Sequence, residues 1–298
     1  MNNSSKYLIE TDISKYGDSL LNILLFDRTT QQNIIWGTSD YEHFGCAYNA
    51  QFQITPNLIT GENKNIIQSR IHKDKNTQTR RTSKKAEVFT PSWICNKQNN
   101  LIDRMWFGKD VFNHEANKGW ETITERIIFS NKTGKTWKDY VKNTRLEITC
   151  GEAPYLVSRY DTVSGKIIPV SDRIGFLDRK LRVVSENTII KDHWLIWAEI
   201  AFQSIYGYEY QGDNVFIARK NLLYTFIDYH INKFGKEPDI NQIYKIAYII
   251  SWNVWQMDGL TLSCIPNSMF RSDEKIPCHI MDWETNKQIE FKSFVKGC

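Results

Sequence analysis

The sequence predicts an α/β protein built on a parallel sheet, and three stretches carry that expectation. A short run of β-formers, Leu146 and Ile148, ends in Cys150-Gly151 with Pro154 just beyond, the order of a strand, a glycine turn and a helix start. Ser204-Ile-Tyr-Gly-Tyr-Glu-Tyr210 reads as a second strand ending in the acid Glu209. Trp252-Asn-Val-Trp-Gln-Met-Asp-Gly-Leu260 reads as a third, ending in Asp258-Gly259. Helical periodicity fills the intervals between them. Such alternation implies parallel strands with a ligand at their carboxyl ends.

Length and composition fit that class. The chain has 298 residues, 41% hydrophobic and 24% charged, enough for one large or two small domains with a real core. Aromatic residues reach 13%, with ten Trp, which points first to core. A net charge of +4 is too mild to name a nucleic-acid partner by itself. The start, Met-Asn-Asn-Ser-Ser-Lys, has no apolar signal core, and no apolar run is long enough to span a bilayer. The expectation is a cytoplasmic protein with reduced thiols and no membrane partner. The cysteines show no Cys-x-x-Cys spacing; Cys264, Cys278 and His279 offer three zinc-ligand types only if the chain end folds back, so no metal is assigned.

Taken in order, residues 19–38 place two apolar runs around a polar connector, Asp27 to Asn33, the pattern of a β-hairpin. This makes residues 1–84 an N-terminal β-containing, β-rich extension. Its last part, 64–85, is a basic segment: Lys64, Arg70, Lys73, Lys75, Arg80, Arg81, Lys84 and Lys85 against the single acid Asp74, interleaved with Thr and Ser hydroxyls. Such a segment is either a solvated, mobile loop or a phosphate-binding surface with strongly salt-dependent affinity. In the second case Arg70, Lys73, Lys75, Arg80, Arg81, Lys84 and Lys85 are the DNA contacts. Thr90-Pro91 then predicts a helix start with Thr90 as cap, and Trp93, Ile94, Leu101 and Ile102 predict its apolar face. Residues 104–144 are irregular and aromatic, with a turn at Lys132-Thr-Gly-Lys135, and suggest no function.

The second half is more regular. Residues 157–190 are polar and basic; then Trp194, Trp197, Ala198, Ala201, Phe202 and Ile205 recur at helical steps. Gly212-Asp213-Asn214 predicts a turn with Asp213 as a helix cap, followed by a helix burying Val215, Ala218, Leu222, Leu223, Phe226 and Ile227. Gly235 ends it, and Pro238-Asp239 opens another helix carrying Ile243, Ile246, Ala247 and Ile250. His193 and His230, at a helix start and within a helix, read as structural or exposed. Residues 261–298 predict a C-terminal β-hairpin turned at Glu284-Thr-Asn-Lys287, able to complete the sheet edge.

In that frame the stretch 85–260 resembles the cofactor half of adenine-specific DNA amino-methyltransferases. The family's Phe-Thr-Pro motif corresponds to Phe89-Thr90-Pro91, and its Asp-Pro-Ala-Cys-Gly-Ser-Gly motif to Glu147-Ile-Thr-Cys150-Gly151-Glu152-Ala153. Its Tyr-Gly-Ile-Glu strand and following Ala-Arg correspond to Tyr206-Gly207-Tyr208-Glu209 and Ala218-Arg219, and its Asn-Ile-x-x-Gly-Asp-x-Leu strand to Asn253 through Leu260. More narrowly, the chain resembles short bacterial proteins called restriction endonuclease subunit M. The resemblance implies a partial Rossmann-like fold that binds S-adenosylmethionine, DNA as substrate, a second restriction-modification subunit as partner, and a place in phage defence. Carried over residue by residue, it implies a cofactor site of Phe89, Thr90, Pro91, Glu147, Cys150, Gly151, Glu209 and Asp258. One acid would face an ammonium, another the ribose hydroxyls and the third an adenine amino group.

The departures are as informative. Glu152-Ala153-Pro154 replaces the second small glycine step, which alters the cofactor cleft. The family's Asp/Asn-Pro-Pro-Tyr/Phe motif, which holds the target amine and stacks the extruded base, has no counterpart after Asp258. Ile265-Pro-Asn-Ser268 and Met281-Asp-Trp-Glu284 do not match it. No catalytic residue is therefore named. Two readings follow: a methyltransferase-type subunit whose catalytic loop comes from a partner, or a non-catalytic cofactor-sensing or DNA-binding relative. A nuclease lacks a Pro-Asp…Glu-x-Lys pattern. The plainest alternative is that the strand-end acids only cap turns and satisfy backbone amides.

Overall fold

The structure, a computed structural model, describes residues 13–85, 87–129, 134–266 and 275–296; the turn expected at Lys132-Thr-Gly-Lys135 falls partly outside them. Helix α1 (Asp18–Leu25) leads into a minimal hairpin, β1 (Phe26–Asp27) and β2 (Gln32–Asn33). The expected strand over the first apolar run is thus a helix. Leu20, Leu21, Leu24 and Leu25 share one face at helical spacing, and all four are completely buried. The rest of the N-terminal region consists of one-turn helices, including α2 (Pro56–Ile59), and of α3 (Lys75–Lys85). The β-rich extension is corrected to a mostly helical segment whose α1 joins the main core.

Helix α4 (Ser92–Phe107) is followed by a hairpin of β3 (Asn113–Ala116) and β4 (Gly119–Thr122), then by α5 (Trp137–Lys142). The order continues β5 (Arg145–Glu147), α6 (Phe176–Asn187), α7 (Lys191–Gln203), β6 (Ile205–Glu209), α8 (Gly212–Phe234), α9 (Ile240–Asn253) and β7 (Val254–Gln256). A final hairpin, β8 (His279–Asp282) with β9 (Lys287–Glu290), runs into α10 (Phe291–Lys296).

Strands β5, β6 and β7 form a parallel sheet in that order, with Glu147 opposite Gly207 and Glu209 opposite Gln256. Two helices fill each crossover. Period-two alternation splits β6 between two cores: Ile205 packs with the helices, whereas Tyr206 and Tyr208 join Trp255, Ile280 and Phe291 on the other face. The C-terminal hairpin therefore covers a face of the sheet. It does not extend the edge, because among the described residues β8 and β9 pair only with each other, and the Tyr206 hydroxyl donates to the Met281 carbonyl at 3.0 Å. The third strand is shorter than expected: Trp252 and Asn253 are the last turn of α9. No helix among the described residues is long and apolar enough to cross a membrane.

Helix α4 reverses its expected faces. It begins at Ser92, whose N–H is accepted by Asp161 at 2.7 Å, and Thr90 makes no cap. Its buried row is Asn96, Asn99, Asn100 and Asp103, while Leu101, Ile102 and Met105 (86% exposed) face outward. The cause is Arg179 of α6, fully inside the protein, which donates to Asp103 (2.6 Å), Asn96 (2.9 Å) and Asn100 (2.7 Å). A buried guanidinium demands such acceptors, and that demand outweighs the apolar stripe.

Candidate functional site: a cavity at the carboxyl ends of the strands

A cavity of about 520 Å³ opens where β5 and β6 end. It lies within the usual size of small-molecule sites. Six of the eight residues expected at a cofactor site line it: Phe89, Thr90, Glu147, Cys150, Gly151 and Glu209. Pro91 lies one step away, in a neighbouring groove with Trp93 and Trp120. Asp258 is not among the lining residues. Its carboxylate accepts the Leu260 and Thr261 N–H groups (2.9 and 3.4 Å) in a turn beyond the end of β7. Since β7 stops at Gln256, the acid falls past the cavity instead of at its wall.

The loop after β5 is wound tightly. Thr149, Gly151 and Ala153 all have positive φ (45°, 54° and 65°), a strained choice for threonine and alanine. Gly151 leaves room for the Phe89 ring, whose Cε1 would stand 3.8 Å from a Cβ there, and the Arg70 guanidinium lies 5.1 Å above the same ring. Glu152, the departure from the small glycine step, turns inward. It accepts the Arg70 N–H (2.5 Å) and the Tyr160 hydroxyl (2.5 Å), tying the basic segment to this loop.

Glu147 and Glu209 are both buried. Among the described residues their hydrogen-bond donors are backbone N–H groups: Tyr155 and Leu156 for Glu147, and Gly151, Tyr210 and Gln211 for Glu209. The turn-capping alternative thus accounts for these contacts. It leaves spare capacity, because a carboxylate accepts about four bonds and Glu147 receives two. Burial pushes both acids above the ordinary glutamate range, strongly for Glu147, against the lowering effect of those N–H groups. Burial likewise pushes the Cys150 thiol up, so it is a packed side chain and no nucleophile.

Beside the cavity sits the opposite arrangement. Asp213, completely buried, accepts from Lys73 (3.0 Å), Arg81 (3.1 Å) and the Tyr41 hydroxyl (2.6 Å). Arg81, 2% exposed, also pairs with Asp40 and Glu87. Burial opposes ionisation of Asp213, but Lys73 and Arg81 outweigh it and hold the carboxyl well below the usual range. Two expectations are corrected here. Asp213 is an ion-pair partner, the helix cap position being Gln211. Lys73 and Arg81 face inward and are spent on carboxylates, so they have no fork to offer a phosphate. The basic segment is not a free loop: its second half is the helix α3, and the segment is bolted down by the Lys73 and Arg81 pairs. Its outer face presents Lys75, Arg80, Lys84 and Lys85, with Lys85 at the cavity rim; Arg70 is held on Phe89.

Several further wall residues were not expected at the site, among them Gly37, Tyr210, Gln211 and Asn214. The first arrives because residues 34–37 run along the start of α8. Gly212 donates its N–H to Trp36 (3.0 Å), and a Cβ at Gly212 would stand 1.9 Å from the Ile35 carbonyl oxygen. Gln256 fixes the same segment by exchanging hydrogen bonds with Ile35 (2.8 and 2.9 Å). Elsewhere, the Cys264 and Cys278 sulfurs approach to 3.6 Å, but no group of three or more metal-ligating side chains occurs among the described residues. Compared with protein-family models, curated proteins and solved structures, the chain matches none.

Proposed function

We propose that the chain is a methyltransferase-like subunit of a DNA restriction-modification system, with a partial Rossmann-like fold that binds S-adenosylmethionine in the cavity at the ends of β5 and β6. The observation that carries this reading is the pair of buried acids, Glu147 and Glu209, whose described donors are backbone N–H groups and which border one cavity. A ligand with fixed positive charge and hydroxyl donors complements them: an ammonium or sulfonium offsets the uncompensated carboxylates, and ribose hydroxyls take the remaining acceptor positions. Phe89 and Tyr210 supply ring surface in the same wall.

The outer face of α3 supports DNA as the partner. Lys75, Arg80, Lys84 and Lys85 are exposed on one short helix that reaches the cavity mouth, where a phosphate backbone would pass close to the bound cofactor. The chemistry of transfer needs a loop that orients the target amine. In this reading a partner subunit brings it, since no matching motif occurs in the sequence. The second reading, a non-catalytic cofactor sensor, rests on that same missing motif.

Equilibrium titration with S-adenosylmethionine and S-adenosylhomocysteine, for the wild type and Glu209→Ala, tests the cofactor site. Micromolar binding weakened at least about tenfold in the variant is expected, for loss of charge-assisted bonds. Absence of binding to both ligands would remove the reading. Transfer of labelled methyl groups to DNA, alone and with products of neighbouring genes, separates the subunit from the sensor.

A further inference from the structure

The start of α8 carries polar atoms that the fold leaves without partners. Asn214 is 1% exposed and lines the cavity, yet neither its Nδ2 nor its Oδ1 has a hydrogen-bond partner among the described residues. Gln211, 6% exposed in the same wall, leaves its Oε1 unpaired. Leaving such atoms buried and unpaired is costly, and native proteins rarely do so without a ligand or function. Their place is informative: both stand at the start of α8, in the same cavity wall as Glu209, which accepts the Gln211 N–H at 3.1 Å.

The chemistry of these atoms restricts what can fill the gap. Two acceptor oxygens and one amide NH2 group suit a planar edge with two N–H donors and at least one acceptor. The amino group of adenine with its adjacent ring nitrogen provides that set. A 6-oxo purine edge of hypoxanthine has a single donor and would strand one of the two oxygens. We propose that Asn214, with Gln211, reads the amino edge of an adenine in this cavity. The inference rests on the adenosyl reading above and deepens it by moving base recognition from Asp258, which lies in a turn beyond the wall, to the first turn of α8.

The test compares S-adenosylhomocysteine with its deaminated analogue, S-inosylhomocysteine, on the wild type and on Asn214→Leu, which keeps the volume and removes the amide. The wild type should favour the amino ligand by about 10- to 100-fold, as good bidentate base contacts do, and the variant should lose most of that preference. Equal binding of the two ligands by the wild type, or an unchanged preference in the variant, would overturn the inference while leaving a working cofactor site. Binding of neither ligand would overturn the adenosyl reading and the inference with it. Thermal melting of the ligand-free variant supplies a second check. Its melting temperature should stay level or rise, because the amide has no described partner to lose. A marked fall would mean Asn214 is structural and would overturn its assignment.

Discussion

Two sets of buried carboxylates lie side by side in this protein, and they are handled in opposite ways. Asp213, with Asp40 and Glu87 around Arg81, meets cationic side chains at hydrogen-bonding distance. Glu147 and Glu209, across the wall in the cavity, meet backbone N–H groups. Lys73 and Arg81 hold Asp213 ionised, whereas burial disfavours the charged form of Glu147 and Glu209. Charge paired from within stabilises a segment, here α3, whereas in the proposed reading the acids left to amide dipoles are the ones a cationic ligand would complete.

The largest effect should come from cutting the paired set. Arg81→Ala strips Glu87 of its cation and takes one partner each from Asp213 and Asp40, and should cost about 3–5 kcal/mol in urea unfolding. A loss below about 1 kcal/mol would erase the contrast. Gly212→Ala should be comparably damaging, because its Cβ meets the Ile35 backbone with nothing flexible to yield.

The pH dependence of stability sharpens the comparison, since Asp213 and Glu147 shift in opposite directions. Asp213 has a depressed pKa, so its stabilisation is present above the unfolded aspartate value of about 3.9 and is lost as pH falls below it. Asp213→Asn should therefore be clearly destabilised near neutral pH, with the gap closing as the solution is acidified. Glu147 has a raised pKa. It costs stability as pH climbs above the unfolded glutamate value of about 4.3, because the folded state then holds the extra proton. Glu147→Gln should match the wild type in acid and melt at an equal or higher temperature near neutral pH. A Glu147→Gln protein that loses stability on moving from acid to neutral pH, relative to wild type, would make Glu147 a structural acid after all.

The smallest effect on the fold belongs to the outer face of α3. Replacing Lys75, Lys84 and Lys85 by Gln, and leaving Arg80 on Asp40, should leave stability within about 0.5 kcal/mol. In the proposed DNA role, it should lower affinity for duplex DNA and flatten the logarithmic salt slope by about 0.9 for each phosphate no longer neutralised. Unaltered DNA affinity would confine this helix to a wall.

Particular residues explain what the sequence disclosed. Strand β6 and helices α7 to α9 were legible because apolar spacing, Gly235 and Pro238-Asp239 act locally. The first apolar run was not, since eight apolar and polar residues serve either a strand or a two-turn helix until packing decides. The reversed faces of α4 depend on Arg179, and the inward turn of Arg81 depends on Asp213, 132 positions away in sequence. Glu147, Cys150, Gly151 and Glu209 were found because they stand at or just after strand ends, and Phe89 and Thr90 through the resemblance to the family's Phe-Thr-Pro motif. Asp258 was misplaced because its strand ended two residues early, and Asn214 looked like an ordinary turn residue beside Gly212 and Asp213.

The most direct measurement is calorimetric titration of the protein with S-adenosylmethionine in buffers of different ionisation enthalpy, between about pH 5 and 7, above the ordinary glutamate value. A cation entering beside Glu147 and Glu209 lowers their raised pKa values, so binding should release protons and tighten as pH rises. The released fraction should fall in Glu147→Gln. Binding that exchanges no protons across this range, or no binding at all, would contradict the claim that these two acids are held for a positively charged ligand.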